Sequence, residues 1–294
     1  MFMAGEVELS HAGAQLVEPV IAGPCDTDLV HSVDVDGLRM SYRREGRGPP
    51  VVMVHGYVGD GPSTWRPQLE GLADAFEVFA CDLPGAGGSD DPPESFGMSG
   101  FAEALQGFIA SLRLSSPHLV GLSFGGATII ELCRRHQEVP STLTLVGAYA
   151  GWAGSLPRAE VQRRVSQALD LSRLAPAQLV DALLPTMFAA SAPANVIAEF
   201  EDALSSFHPV GLRAMARACA ADLTDVVRTI RLPTLVMTGE DDTRAGLSVA
   251  TELHEAIPGS ELVVLPGAGH VCNIDAAEPF NATLRRFLEA HPPR

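Results

Sequence analysis

Short, continuously apolar runs punctuate this chain, and stretches with helical spacing lie between them. Val51-Val52-Met53-Val54 is apolar at every position, the pattern of a strand buried on both faces of a parallel sheet. Mainly apolar runs of similar character recur over 76–81, 119–122, 143–146, 234–237 and 262–265. Buried strands alternating with helices predict an α/β fold with a mainly parallel central sheet flanked by helices, whose ligands sit beyond the carboxyl ends of the strands. Upstream, 32–35 and 38–43 alternate apolar and polar residues about Asp36-Gly37, which predicts an antiparallel hairpin. Residues 1–30 show no clear periodicity and read as an N-terminal extension.

The alternation breaks once. From 148 to 230 the chain is rich in Ala, Leu, Met and Phe, with helical spacing over 161–171, 177–184, 196–207 and 211–221 divided by prolines and small residues. This stretch begins and ends where adjacent strands of one sheet are expected. It therefore reads as a helical cap inserted into an α/β core formed by 31–147 and 231–294, lying over the strand ends.

Composition narrows the function classes. A chain of 294 residues with 46% hydrophobic content can bury a large core. The formal net charge of −16, without clustered Lys and Arg, argues against a nucleic-acid partner. Five cysteines (Cys25, Cys81, Cys133, Cys219 and Cys272) form no CxxC pair, which fits a reducing compartment. The first residues carry Glu6 and Glu8 rather than a basic stretch before an apolar core, and no apolar run approaches membrane-spanning length. The expectation is a cytoplasmic protein with no membrane partner.

Gly121-Leu122-Ser123-Phe124-Gly125-Gly126 carries the chemistry, because it sits where an apolar strand meets a helical run. A serine on that turn has its hydroxyl pushed out at the head of the sheet, with Phe124 starting the helix and aiming its backbone N–H at an oxyanion. Glycines on either side are expected for close packing and for torsions that other residues resist. Three further features end other strands: Val54-His55-Gly56-Tyr57, Gly239-Glu240-Asp241-Asp242 and Gly267-Ala268-Gly269-His270. The order along the chain is Ser, Asp, His. Imidazole can take a serine proton near neutral pH and return it to a leaving group, and a carboxylate fixes its tautomer.

These motifs, together with Asp82-Leu83-Pro84-Gly85-Ala86-Gly87-Gly88-Ser89 and Pro233-Thr234-Leu235, appear in the order found in the α/β-hydrolase fold family, which the chain resembles over roughly 33–288. The resemblance implies Ser123 as nucleophile, His270 as base and Asp242 as acid, since the family's acid stands three residues after the glycine closing its strand. It also implies backbone N–H groups of Tyr57 and Phe124 as the oxyanion hole. Asp241 then reads as a solvated or loop-capping carboxylate, His55 as a structural residue holding its loop, and Cys272 as packing. The loop after Asp242 departs from many relatives at Thr243-Arg244-Ala245-Gly246, where a proline commonly ends the loop.

The Asp82–Ser89 stretch lacks the Gly-Lys-Ser/Thr ending of a phosphate loop and reads as a turn shaping the site. No metal site is supported, because His254 and His270 have no Glu or His partner at ligand spacing. No cofactor is implied. The expected partner is a small-molecule substrate, with Trp152, Met187 and Phe188 as candidate residues of an apolar roof. The segment 269–275 resembles that of enol-lactone hydrolases and related esterases. The leading expectation is a serine hydrolase of small to medium carboxylic esters or lactones acting through an acyl-enzyme. Alternatives on the same triad are a cofactor-free perhydrolase of the haloperoxidase type, an acyltransferase and a C–C bond hydrolase. An alternative of another class is a non-catalytic ligand-binding protein on the same fold.

Overall fold

The structure is a computed structural model that describes residues 29–189, 194–205 and 207–293; the other residues of the extension, including Cys25, lie outside this range. The strands are β1 (His31–Val35), β2 (Leu38–Gly46), β3 (Pro50–Val54), β4 (Glu77–Cys81), β5 (His118–Leu122), β6 (Thr142–Val146), β7 (Thr234–Gly239) and β8 (Glu261–Leu265). Among the described residues they form one eight-stranded sheet in the order β1-β2-β4-β3-β5-β6-β7-β8. β1 and β2 are antiparallel, and β2 lies antiparallel on β4. From β4 onward every pairing is parallel.

The hairpin expected from Asp36-Gly37 is present. Asp36 (φ 51°) and Gly37 (φ 84°) both take left-handed torsions, the pair required by the two-residue turn whose twist matches its strands. The continuous apolar runs are buried throughout in β5, β6 and β7, as strands covered on both faces must be.

The helices before the long interruption are α1 (Gly61–Leu72), α2 (Gly97–Ser111) and α3 (Phe124–His136). Between β6 and β7 run α4 (Trp152–Ser155), α5 (Arg158–Leu171), α6 (Pro176–Leu183), a 3-10 turn at Leu184–Thr186, α7 (Ala194–Ser205), α8 (Pro209–Cys219) and α9 (Thr224–Val227). The chain closes with α10 (Leu247–Ala256), α11 (Cys272–Asp275) and α12 (Ala277–Ala290). Helices α5, α6 and α8 start earlier than their apolar periodicity suggests. Pro157 precedes α5, and Pro176 and Pro209 open α6 and α8. Proline has no N–H to lose at a first helical position and its φ is already helical, so it begins these helices as well as dividing them.

Register positions the site. Val54 pairs with Gly121, Gly121 with Leu145, Val146 with Met237, and Gly239 with Leu265. The parallel strands therefore end level, and the segments that follow β3, β5, β6, β7 and β8 emerge at one edge.

Candidate active site

Ser123 follows β5 directly and precedes the first residue of α3, with φ 53° and ψ −107°. Its backbone N–H donates to Val146 O at 2.8 Å, so the strained residue is tied to the neighbouring strand. The left-handed torsion sits on the serine itself, whereas Gly121 and Gly125 keep ordinary φ. Their absent side chains are explained by contact alone. A Cβ on Gly121 would lie 2.5 Å from Gly125 C, and one on Gly125 would lie 2.3 Å from Val54 O. Such outlier torsions on a non-glycine residue cost on the order of 1–3 kcal/mol and persist only when the surroundings enforce them; the two close approaches supply that enforcement.

Asp242 and His270 meet across the loops after β7 and β8. His270 Nδ1 lies 2.9 Å from Asp242 Oδ2, and both side chains are buried. The second carboxylate oxygen, Oδ1, accepts from Arg244 N at 2.7 Å and Ala245 N at 2.9 Å. Burial pushes the Asp242 carboxyl up, but the His270 charge and hydrogen bond, with the two backbone donors, outweigh it and hold the group below its ordinary value. Glu240 and Asp241 are exposed, so burial separates Asp242 from its acidic neighbours.

The end of β6 leaves room for this pair. Gly147 has φ 49°, and a Cβ there would stand 3.2 Å from His270 Nδ1 and 3.3 Å from Asp242 Oδ2. Sequence reasoning missed Gly147; its place one residue past an apolar strand, level with Ser123, was the available signal. The loop of His270 is anchored on its other side, where Asp275 Oδ2 accepts from Gly269 N at 2.7 Å and Ala189 N at 3.0 Å.

The other expected residues fall as follows. Phe124 begins α3 with its ring buried edge-on against Phe101. Tyr57 follows His55-Gly56 and stands edge-on to Trp152. His55 is fully buried, and Leu83 N donates to its Nε2 at 3.0 Å, so Nδ1 carries the proton and donates to Gly56 O at 2.6 Å. Desolvation lowers its pKa against the nearby Asp82 charge, leaving a neutral ring that joins two loops. Asp82 accepts from Gly61 N and Gly88 N and binds the Ser41 hydroxyl, which fixes the turn after β4. Cys272 is buried, and desolvation raises its thiol pKa further from the reactive range.

A small void of about 10 Å³ is lined by Gly56, Tyr57, Val58, Leu122, Ser123, Met187, Arg244 and His270. That is room for roughly one water. Tyr57 and Arg244 also bound an outer cleft of about 240 Å³ that includes Trp152 and Thr186. Arg244 spans the wall between the two spaces, donating to Tyr57 Oη and Thr186 Oγ1, both at 2.7 Å. Of the three apolar candidates, Met187 faces the void, Trp152 faces the outer cleft, and Phe188 packs edge-on against Phe200 and lines neither. A larger groove of about 470 Å³ between α4, α9 and α10 contains none of these residues. Among the described residues, no group of three or more His, Cys, Asp or Glu is arranged to hold a metal ion, and no helix is long and apolar enough to cross a membrane.

The level strand ends, the serine turn and the buried His–Asp pair define a hydrolase architecture, and the description of the Alpha/beta hydrolase family matches residues 51–283. The chain belongs to this family of hydrolases. Among proteins of similar sequence is "Putative carbamate hydrolase RutD" of Klebsiella pneumoniae, 29% identical over 255 residues that cover 84% of this chain and 94% of the relative. Among solved structures, a thermophilic esterase from Thermogutta terrifontis matches with TM-score 0.80 and 28% identity, covering 89% of this chain and 97% of that one. The enol-lactonase from Burkholderia xenovorans matches with TM-score 0.80 and 27% identity, over 88% of this chain and 100% of that one.

Proposed function

We propose that the protein hydrolyses a small to medium carboxylic ester or lactone through an acyl-enzyme on Ser123. The observation that carries this reading is the convergence on one void of a strained serine and a buried imidazole already held by a carboxylate. His270 Nε2 takes the Ser123 proton as Oγ attacks the carbonyl carbon, and the C=O pair moves onto oxygen. The backbone N–H groups of Tyr57 and Phe124 receive that charge; one such donor is typically worth about 10²–10³ in rate. The imidazolium is stabilised by ionised Asp242, then gives its proton to the leaving alkoxide as the C–O bond breaks. Water attacks the acyl-enzyme by the same path and restores Ser123.

The substrates named for the similar proteins, an enol-lactone and a carbamate, share an attackable carbonyl with the class proposed here. The helices between β6 and β7 serve in this reading as a cap, since Met187 closes the void from their side. The test is a panel of activated esters and lactones with wild type and Ser123→Ala, combined with labelling by a fluorophosphonate. Turnover and a serine adduct in wild type, both lost in folded Ser123→Ala with a rate drop of about 10⁴ or more, are expected because triad members act as a unit. Near-wild-type turnover by Ser123→Ala would eliminate the mechanism, and a folded protein with neither turnover nor adduct would favour a binding protein.

A further inference from the structure

We infer that the substrate carries a carboxylate, held by the Arg244 guanidinium at the wall between the Ser123 void and the outer cleft. This deepens the hydrolase reading and rests on it. The outer cleft is lined by Arg163, Arg164 and Arg244 in a chain whose formal net charge is −16. A local concentration of cations against that background singles the cleft out as a place for an anion.

The three arginines are not equivalent. Arg163 and Arg164 share Glu160, at 2.7 Å each. Arg164 is further occupied by Tyr149 Oη at 2.8 Å and the Arg244 carbonyl at 3.2 Å. Arg244 forms no ion pair with a carboxylate among the described residues. Among the described residues its guanidinium reaches two hydroxyls, of Thr186 and Tyr57, and lies 5.6 Å from the centroid of the Tyr57 ring. A half-buried cation without a counter-ion favours an incoming anion. The guanidinium of Arg244 matches a carboxylate, whose two oxygens fit its planar edge.

Placement then links the anion to the reaction. Arg244 and Tyr57 border both spaces, so a group held on the guanidinium lies one short chain away from a carbonyl at Ser123. The base of the side chain is rigid. Arg244 N is bound to Asp242 Oδ1, and its carbonyl accepts from Arg164 Nη2 and from the Tyr149 hydroxyl. Only the side chain beyond Cα needs to adjust. A half-ester of a short dicarboxylic acid, or a lactone bearing a carboxylate arm, satisfies both ends.

The deciding measurement compares monomethyl with dimethyl glutarate and adipate, substrates that differ by one charge, followed by methanol release. Wild type should favour the charged monoester in kcat/KM by roughly 10–100-fold, the scale of a charge-assisted pair. Arg244→Gln should collapse that ratio toward one, and Arg244→Lys, which keeps charge but not the planar fork, should retain part of it. A second arm needs no turnover: free glutarate should raise the melting temperature of Ser123→Ala protein and fail to raise that of Ser123→Ala/Arg244→Gln. A wild type that prefers the diesters, or a ratio unchanged in folded Arg244→Gln, overturns the carboxylate site while activity on the diesters leaves the hydrolase reading standing. Absence of turnover on every ester together with absence of a Ser123 adduct removes the hydrolase reading instead, and the glutarate shift then decides the anion site alone.

Discussion

The two ends of β5 each bring a serine and an imidazole together, in unlike surroundings. At the amino end, His118 Nδ1 lies 2.9 Å from Thr142 Oγ1 and 3.2 Å from Ser141 Oγ, with no carboxylate among its hydrogen-bond partners in the described residues. Its Nε2 is buried and unpartnered among the described residues. Burial, with a smaller contribution from His291, lowers its pKa to about 4. At the carboxyl end, Ser123 is turned out by a left-handed torsion and shares a void with His270, whose Nδ1 rests on ionised Asp242. In the proposed mechanism a hydroxyl beside an imidazole is therefore not enough for chemistry. The buried carboxylate, the left-handed torsion and the lined void all lie at the carboxyl end.

Removing that carboxylate should have the largest effect, because it makes His270 resemble His118. In the proposed mechanism Asp242→Asn lowers kcat by roughly 10²–10⁴, through loss of the group that orients and stabilises the imidazolium. Asp241→Asn, on an exposed side chain, leaves kcat within a small factor. Steady-state rates on one soluble ester for the two variants decide the matter, and the reverse order would move the acid to Asp241.

The amino end makes its own prediction, about stability and pH. The His118 pKa is about 4 in the fold against an ordinary 6.5, so the unfolded chain binds the proton first as pH falls. Stability from this residue is then whole above pH 6.5, declines between about 6.5 and 4, and levels off below; the difference corresponds to about 3 kcal/mol at most. His55 is shifted in the same direction, so the wild-type acid limb contains both rings. Comparing denaturant unfolding of wild type and His118→Gln from pH 8 to 4 isolates His118: the stability gap should narrow steadily toward low pH. A gap that is constant over that range would show that the ring does not titrate between the two states.

The contrast between the ends also shows what was legible in the sequence. The strands announced themselves because burial on two faces favours short runs of mainly apolar residues, the few polar exceptions being small threonines and His118. Ser123 and His270 were readable because a strand-to-helix turn and a glycine-flanked loop leave local traces. Asp242 was separable from Asp241 only by resemblance; the physical difference, burial against two backbone donors, arises from the fold of the loop. The glycines flanking Ser123 were read as carrying the unusual torsion, which the serine carries itself. The roof was least legible. Met187 follows a 3-10 turn rather than occupying a helical face, so apolar periodicity had no means of separating it from Phe188. Arg244 and Thr186 come from segments without any period, and only their meeting over Tyr57 gives them a place at the site.

Space is the last distinction between the two ends of β5, and it yields the smallest expected effect. His118 is completely enclosed, whereas the void at Ser123 has one wall made by the flexible thioether of Met187. That side chain is itself 3% exposed, and its backbone carbonyl accepts from Val271 N at 3.2 Å, so the residue is fixed next to the His270 loop while its side chain can be shortened without moving the loop. Met187→Ala should widen the void and shift preference toward longer acyl chains by about tenfold, since one methylene-sized contact is worth about 1–3 kcal/mol of discrimination. Phe188→Ala, which removes a ring stacked edge-on at 5.5 Å from Phe200, should lower the melting temperature and leave the chain-length profile parallel to wild type. Trp152→Ala opens the outer cleft instead and should alter preference for groups beyond the Arg244 wall. Profiles from acetate to octanoate esters separate the three variants. A profile moved by Phe188→Ala but not by Met187→Ala would place the closing wall on the wrong residue.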